Sequence, residues 1–265
     1  MPRELGLYYV SKPDSKLAWF KFQLRDEKGA VARCINVLAK RGADLVFGYF
    51  EAVERGKTGK YIALTELKKE VDLNNLIQNL KSLDVVLDLE YHTAEKVIFQ
   101  TAEFPLTLLG SRAFIARSET FVDMMRTIEE SSHRSSELIF HSGLKSGMNA
   151  ASHFSEKIGV TRENAIESLI GLLSAAGWGK LSIDIDLNSL SGYISVKDSF
   201  IADAYGAASS PKCNWLSGFL SGFFTVVFKE EVFVKEMKCK AVEGDICVHR
   251  MRRARDIKRG GSERF

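Results

Sequence analysis

Two stretches decide how the C-terminal half of the chain is read. They are Cys213-Asn214-Trp215-Leu216-Ser217-Gly218-Phe219-Leu220-Ser221-Gly222-Phe223 and Glu236-Met237-Lys238-Cys239-Lys240-Ala241-Val242-Glu243-Gly244-Asp245-Ile246-Cys247. The first is helical in pattern. Trp215, Phe219, Gly222 and Phe223 recur at i, i+4, i+7 and i+8, with Phe224 and Phe228 as a second row. Val232 to Cys239 and Ile246 to His249 read as strands around the polar turn Glu243-Gly244-Asp245, which predicts a hairpin. Cys239 and Cys247 are symmetric about Glu243, so the hairpin sets their thiols opposite one another. Cys213 stands just before the helix, where unpaired N–H groups favour a thiolate. With Glu236 these three cysteines make a closed four-ligand set of the kind that suits Zn²⁺. Reduced, packed thiols, or a disulfide with one spare thiol, are the other readings of the same spacing. A cytosolic chain disfavours the disulfide. Residues 236 and 239 are an odd number apart, so a flat strand would aim them at opposite faces. The metal reading therefore requires a bulge or a strand end near Met237. Such a centre carries net charge, which Lys235, Lys238 and Lys240 stand close enough in sequence to offset.

Outward from these stretches, residues 118–250 read as an α+β domain with antiparallel strands. One helix starts near Glu119, with Phe121, Val122, Met125 and Ile128 inward. A second starts near Arg134 and runs to Phe154. Gly143 and Gly147 lie four apart within it, which predicts close backbone packing or a bend. Thr161 caps a third helix that Gly177 ends. Leu181 to Leu187 and Gly192 to Val196 form a hairpin around Asn188-Ser189. Asp184 and Asp186 share its outer face. Residues 93–117 are a connector with short strands at Val97 to Phe99 and Ala113 to Ala116.

Residues 1–92 hold a different pattern. A strand-like run from Lys16 to Leu24 leads into the turn Asp26-Glu27-Lys28-Gly29. A helix follows with Val31, Cys34, Ile35 and Leu38 on one face, closed by Gly42. Leu45 to Val53 and Tyr61 to Leu67 are strands. Asp72 caps a helix with Leu73, Leu76, Ile77 and Leu80 inward, and Val85 to Tyr91 completes the set. The order is βαββαβ, a ferredoxin-like split unit.

The 265 residues carry 37 basic and 34 acidic side chains, a formal +3. The tail from Arg250 (Arg250, Arg252, Arg253, Arg255, Lys258, Arg259, Arg264 against Asp256 and Glu263) accounts for +5, which leaves −2 on the rest. The body is thus no general nucleic-acid binder. Nucleic acid is expected only through the basic tail, residues 250–265. That tail reads first as a solvated terminus with a loose end at Gly260-Gly261-Ser262. The longest apolar stretch, Trp215 to Phe228, is too short and polar to span a bilayer. Met1-Pro2-Arg3-Glu4 opens no signal core, so the expected location is the cytoplasm. No serine-nucleophile elbow, phosphate loop or His-Glu-x-x-His occurs. The five histidines read as solvated or packed.

Leu24-Arg25-Asp26-Glu27-Lys28-Gly29-Ala30-Val31, within roughly residues 15–92, resembles the start of an ACT domain. That small regulatory module binds amino acids at subunit interfaces. Lys28 stands where the family commonly has Pro. The resemblance implies a homodimer and marks Asp26 and Gly29 as an effector loop, where Gly29 lets backbone N–H groups approach a carboxylate. The cysteine-rich stretches, with Gly143…Gly147 and Ile194-x-Val196-x-x-Ser199-Phe200, resemble the 4-vinyl reductase domain over roughly residues 105–250. That domain also serves as the sensory module of activators responding to phenols and alkylbenzenes. It shares its fold with small Golgi-tethering subunits that hold an acyl chain.

The second resemblance implies that Cys213, Glu236, Cys239 and Cys247 hold a structural zinc. The sensors' phenol-binding His and Trp have no counterpart before Cys213; Asn164 and Gly192 stand in that region instead. A small apolar ligand is the expectation, with Phe154, Trp178, Phe200, Trp215, Phe219 and Phe223 as candidate lining residues. An ordinary aromatic core is the plain alternative for each of them. The expected function is ligand sensing by a cytoplasmic homodimer. A reductase or reductase subunit acting on a vinyl-bearing tetrapyrrole is one alternative, and a non-catalytic scaffold is the other.

Overall fold

A computed structural model describes residues 7–259. The readings placed on Met1 to Glu4, Gly260-Gly261-Ser262 and Arg264 lie outside the described residues. The chain divides into two compact units at Leu106 and Thr107.

In the first unit the order is β1 (Tyr8–Val10), β2 (Ser15–Arg25), α1 (Ala30–Lys40), β3 (Ala43–Glu54), β4 (Thr58–Lys68), α2 (Leu73–Lys81), β5 (Val86–Ala94) and β6 (Val97–Phe99). The four long strands form an antiparallel sheet ordered β3-β4-β2-β5. This is the split βαβ topology expected from the sequence. Alternation along β2 sends Phe20, Phe22 and Leu24 to the helix-covered face, against Cys34, Leu38, Leu76 and Leu80. The intervening Leu17 and Trp19, with Ile62 and Leu64, occupy the opposite face. A ribbon of β1 paired with β6 brings Tyr9 and Ile98 onto that second face. Both faces of the sheet therefore carry apolar residues, which explains the near-continuous hydrophobic run in β2. Asp72 caps α2, accepting the Asn75 N–H at 3.1 Å. Gly42 follows α1 with φ of 75°, the left-handed conformation that glycine adopts without strain.

The second unit contains β7 (Thr107–Leu108), β8 (Ser111–Arg112), α3 (Ser118–Ser131), α4 (Ser135–Ile158), α5 (Ala165–Ala175), β9 (Lys180–Asp186), β10 (Ser191–Lys197), α6 (Phe200–Tyr205), α7 (Asn214–Phe228), β11 (Val232–Lys238), β12 (Ile246–Arg253) and α8 (Ala254–Arg259). Its antiparallel sheet has the order β11-β12-β10-β9. Helix α7 is apolar nearly all round, and ten of its residues are buried.

One face of α7 meets α4 through four glycines. An added Cβ would lie 2.0 Å from a carbonyl oxygen at Gly143 (Trp215 O), Gly147 (Phe219 O) and Gly218 (Phe140 O), and 2.1 Å at Gly222 (Leu144 O). The helix backbones touch, and only glycine fits at these four points. The close packing expected of Gly143 and Gly147 is present; their partners are the two glycines of α7.

Three expectations need correction. Ala113 to Ala116 form no strand; the short pairing there is β7 with β8. Helix α5 begins at Ala165, not Thr161. The Asn164 side chain folds back to accept the Thr161 N–H at 2.7 Å and to bond the Gly159 carbonyl, which holds residues 161–164 in a turn. The basic tail does not start as a solvated terminus. Arg250 to Arg253 are part of β12, Met251 is fully buried, and Arg253 pairs with Glu230.

Candidate metal centre

Four groups converge where α7 starts and the β11–β12 hairpin ends. Cys213 directly precedes α7, and Cys239 follows the last residue of β11. Cys247 is the second residue of β12. Glu236 reaches them because the β11–β12 register shifts between Glu236 and Lys238. That bulge is the irregularity the odd residue spacing demanded, and it turns the Glu236 and Cys239 side chains to one side.

One ligand atom from each of Cys213, Glu236, Cys239 and Cys247 lies within 4.8 Å of the other three, and all four residues are buried. Cys213 Sγ and Cys247 Sγ are 3.7 Å apart. A tetrahedral ion with metal–sulfur bonds of about 2.3 Å separates its ligands by roughly 3.8 Å. Glu236 Oε2 accepts the Cys213 N–H at 2.8 Å, while buried Oε1 has no hydrogen-bond partner. An orphaned carboxylate oxygen facing three thiols fits a cation. The donor set, three sulfurs and one oxygen with no position left open, fits a structural Zn²⁺. All four cysteines of the chain are free thiols.

The electrostatics show what a cation would resolve. Burial, with Cys239 alongside, pushes the Glu236 carboxyl up to about 8. Cys213 is also raised, through its contacts with Cys239 and Cys247 and through burial. Cys239 is lowered, because Cys213 and Cys247 donate to it and the Lys212 N–H adds a further bond. The thiolate preference therefore sits on Cys239, not on Cys213 at the helix start, since three buried acids surround Cys213. The flanking lysines do not supply the compensation expected of them in the way foreseen. The Lys240 ammonium pairs with Asp203 at 2.5 Å. Backbone donors face the sulfurs instead: Lys212 N–H to Cys239 Sγ at 3.5 Å and Lys240 N–H to Cys247 Sγ at 3.4 Å.

The six candidate ligand-lining aromatics form one continuous chain of ring contacts. Trp178 meets Phe219 at 4.9 Å, Trp215 at 5.3 Å and Phe200 at 5.6 Å. Phe219 stacks on Phe223, which reaches Phe154. Phe121 joins them, 4.9 Å from Trp215 and 5.5 Å from Phe200. Phe154, Phe219 and Phe223 are buried, whereas Phe121, Trp178, Phe200 and Trp215 are half-buried. The group is a core with a partly open rim.

Beside the sulfur cluster lies a buried pair that sequence reading missed. Ser217 Oγ and His249 Nδ1 are 2.9 Å apart, and burial pushes His249 down to about 4. The i, i+4 serines Ser217 and Ser221 on an otherwise apolar helix were the available signal. In the first unit, Gly29 has φ of 84° at the start of α1. The Asp26 carboxylate accepts the Gly56 N–H at 2.7 Å, so it closes the β3–β4 turn of its own chain.

Residues 193–253 match the family model of the vinyl-4-reductase domain. Among solved structures, the phenol-responsive sensory domain of the transcription activator PoxR is 18% identical. The match covers 59% of this chain and 84% of that one, with a TM-score of 0.50. A vinyl-4-reductase family protein from Methanocaldococcus jannaschii is 16% identical over 54% of this chain and 84% of its own, at TM-score 0.40. Subunit 3 of a trafficking protein particle complex from Naegleria fowleri, covalently bound to palmitic acid, is 14% identical over 51% and 94%, at TM-score 0.41. No curated protein matches the chain. Among the described residues, no helix is long and apolar enough to cross a membrane.

Proposed function

We propose that this chain is a ligand-sensing regulatory protein. Its second unit binds a small apolar molecule against the aromatic cluster, and Cys213, Glu236, Cys239 and Cys247 hold a structural zinc that fixes the unit. The first unit, ACT-like in its βαββαβ order, pairs two chains and passes the ligand's effect on. The observation that carries this reading is the convergence of the four buried ligand groups at the start of α7, two residues before Trp215. The fold shared with a sensory domain supports a sensing role, and the half-buried rings at the rim of the cluster support an apolar ligand over a polar one. The zinc would contribute a divalent charge that offsets the thiolates and the carboxylate, and it would link α7 to the β11–β12 hairpin.

Metal analysis of the purified protein tests the centre. About one zinc per chain is expected, and Cys239→Ser should lower that content and the stability of the second unit. A metal-free, fully folded wild type sinks the zinc reading. Native mass spectrometry of the purified chain, followed by titration with toluene and with phenol, tests the ligand. A bound apolar molecule, or tighter binding of toluene, supports the reading. Binding of neither, with no copurified organic molecule, favours a scaffold instead.

A further inference from the structure

The metal centre is surrounded by donors of two kinds. Cys239, Cys247 and Glu236 each accept a backbone N–H, from Lys212, Lys240 and Cys213 respectively. Cys213 Sγ instead has a side-chain hydroxyl beside it: Ser199 Oγ lies 3.6 Å away. Ser199 is fully buried. The same oxygen accepts the Ala202 N–H at 3.5 Å as the N-cap of α6. With its lone pairs turned to the helix, the hydroxyl proton is left for the sulfur. A hydrogen bond to a metal-bound thiolate fixes the ligand's orientation and tempers its charge.

Ser199 also stands between the metal centre and the aromatic cluster. The next residue, Phe200, packs on Trp178 and Phe121. On the other side of the contact, Cys213 precedes α7, which carries Trp215 and Phe219. Asp203 on α6 holds Lys240, whose own N–H bonds Cys247. Helix α6 is thus tied to the ligand set at both Cys213 and Cys247, and it presents an aromatic ring to the cluster from its first residue.

We propose that Ser199 is a positioning residue of the metal centre. Through its bond to Cys213 it holds the metal ligands and the Phe200–Trp178–Trp215 contacts in one arrangement, so that metal occupancy sets the shape of the aromatic rim. This rests on the zinc reading above. Metal and apolar ligand then each strengthen the binding of the other, since coupling between sites is reciprocal.

Two substitutions separate this role from simple helix capping. Ser199→Ala removes both the cap and the sulfur bond. Ser199→Gly removes the sulfur bond but keeps most of the capping energy, because glycine costs an N-cap only a few tenths of a kcal/mol. Zinc affinity is measured by competition with a chromophoric chelator, in a Trp19→Phe background so that emission comes from Trp178 and Trp215. Both variants are expected to bind zinc about 10- to 100-fold more weakly, the usual effect of losing an outer partner of a metal ligand. At saturating zinc their tryptophan emission should differ from that of the parent. Parental zinc affinity in Ser199→Gly, within twofold, overturns the proposal while leaving the zinc centre standing. A parent protein that binds no zinc overturns both.

Discussion

Replacing Gly147 by alanine sets two effects against each other. Alanine is favoured over glycine inside a helix by about 1 kcal/mol, so an exposed position would gain stability. At Gly147 the new methyl would sit 2.0 Å from the Phe219 carbonyl oxygen, where ordinary contact begins at 3.4 Å. The obstacle is backbone, so no rotamer change relieves it. Helices α4 and α7 must part by roughly 1 Å, which forfeits about a quarter to a half of the dispersion energy along their seam. Overpacking of a well-filled core costs about 1–3 kcal/mol, and a backbone clash belongs at the upper end. Subtracting the gain in helix propensity leaves a loss of about 2 kcal/mol. For a unit of this size that lowers the melting temperature by about 4–8 °C. Gly171, inside α5, supplies the control. A Cβ there meets nothing within 4 Å, so Gly171→Ala should raise stability by up to about 1 kcal/mol. Both variants are followed by tryptophan fluorescence in urea and on heating, in a Trp19→Phe background that leaves Trp178 and Trp215 in the second unit. Opposite signs for the same substitution are expected. A Gly147→Ala protein as stable as its parent, beside a stabilised Gly171→Ala, refutes the backbone contact.

Removing zinc with a chelator should destabilise the second unit and leave the first unchanged, since the four ligands all lie beyond Thr107; calorimetry with and without chelator would resolve this. Glu66 tests the first unit. Hydrogen bonds from the Lys12 side chain and from Ser15 lower its carboxyl from 4.5 to about 2. A lowered carboxylate stabilises fully above pH 4.5 and loses that contribution as pH falls toward 2, so Glu66→Gln should flatten acid unfolding of this unit in that window. Deleting residues 256–265 should leave the melting temperature within about 1 °C, because the chain is already exposed at Arg255 and Asp256. Deletion from residue 250 removes buried Met251 and the Arg253–Glu230 pair, and should unfold the unit as followed by far-ultraviolet circular dichroism.

Much of this was legible because periodicity and parity are local. The βαββαβ order followed from alternation in β2 and the i, i+3, i+4 spacing of Val31, Cys34 and Ile35. The bulge at Met237 followed from parity alone, once Glu236 and Cys239 were required to share a face. What stayed hidden depended on contacts across long sequence separations. Gly143 and Gly147 announced a close approach, but nothing in α4 identifies Gly218 and Gly222 as the partners. The donors to Cys239 and Cys247 are backbone N–H groups, which every residue but proline carries and no motif marks. Ser199 was visible as a residue of the resembling strand segment, yet its bond to Cys213 spans fourteen positions. The turn at Thr161 to Asn164 misled because two residues there can cap, and Asn164 took the bond that Thr161 was expected to make.

The α4–α7 seam and the sulfur cluster answer one structural need. A helix that is apolar on every side has no polar stripe to fix its rotation, and hydrophobic burial alone is non-directional. Two devices supply direction to α7. The glycine seam permits a single depth and register against α4, since a one-residue slip would drive a side chain into a backbone. At the N-terminal end, the Cys213 sulfur fixes rotation about the helix axis by joining groups from the β11–β12 hairpin. Trp215 and Phe219 are then delivered to the aromatic rim at a set angle. The seam is permanent, whereas the sulfur cluster responds to metal and to oxidation. If α7 rotation sets the rim, restoring zinc to chelated protein should recover the parental tryptophan emission. In Gly147→Ala the seam is already displaced, and zinc should restore the emission only in part.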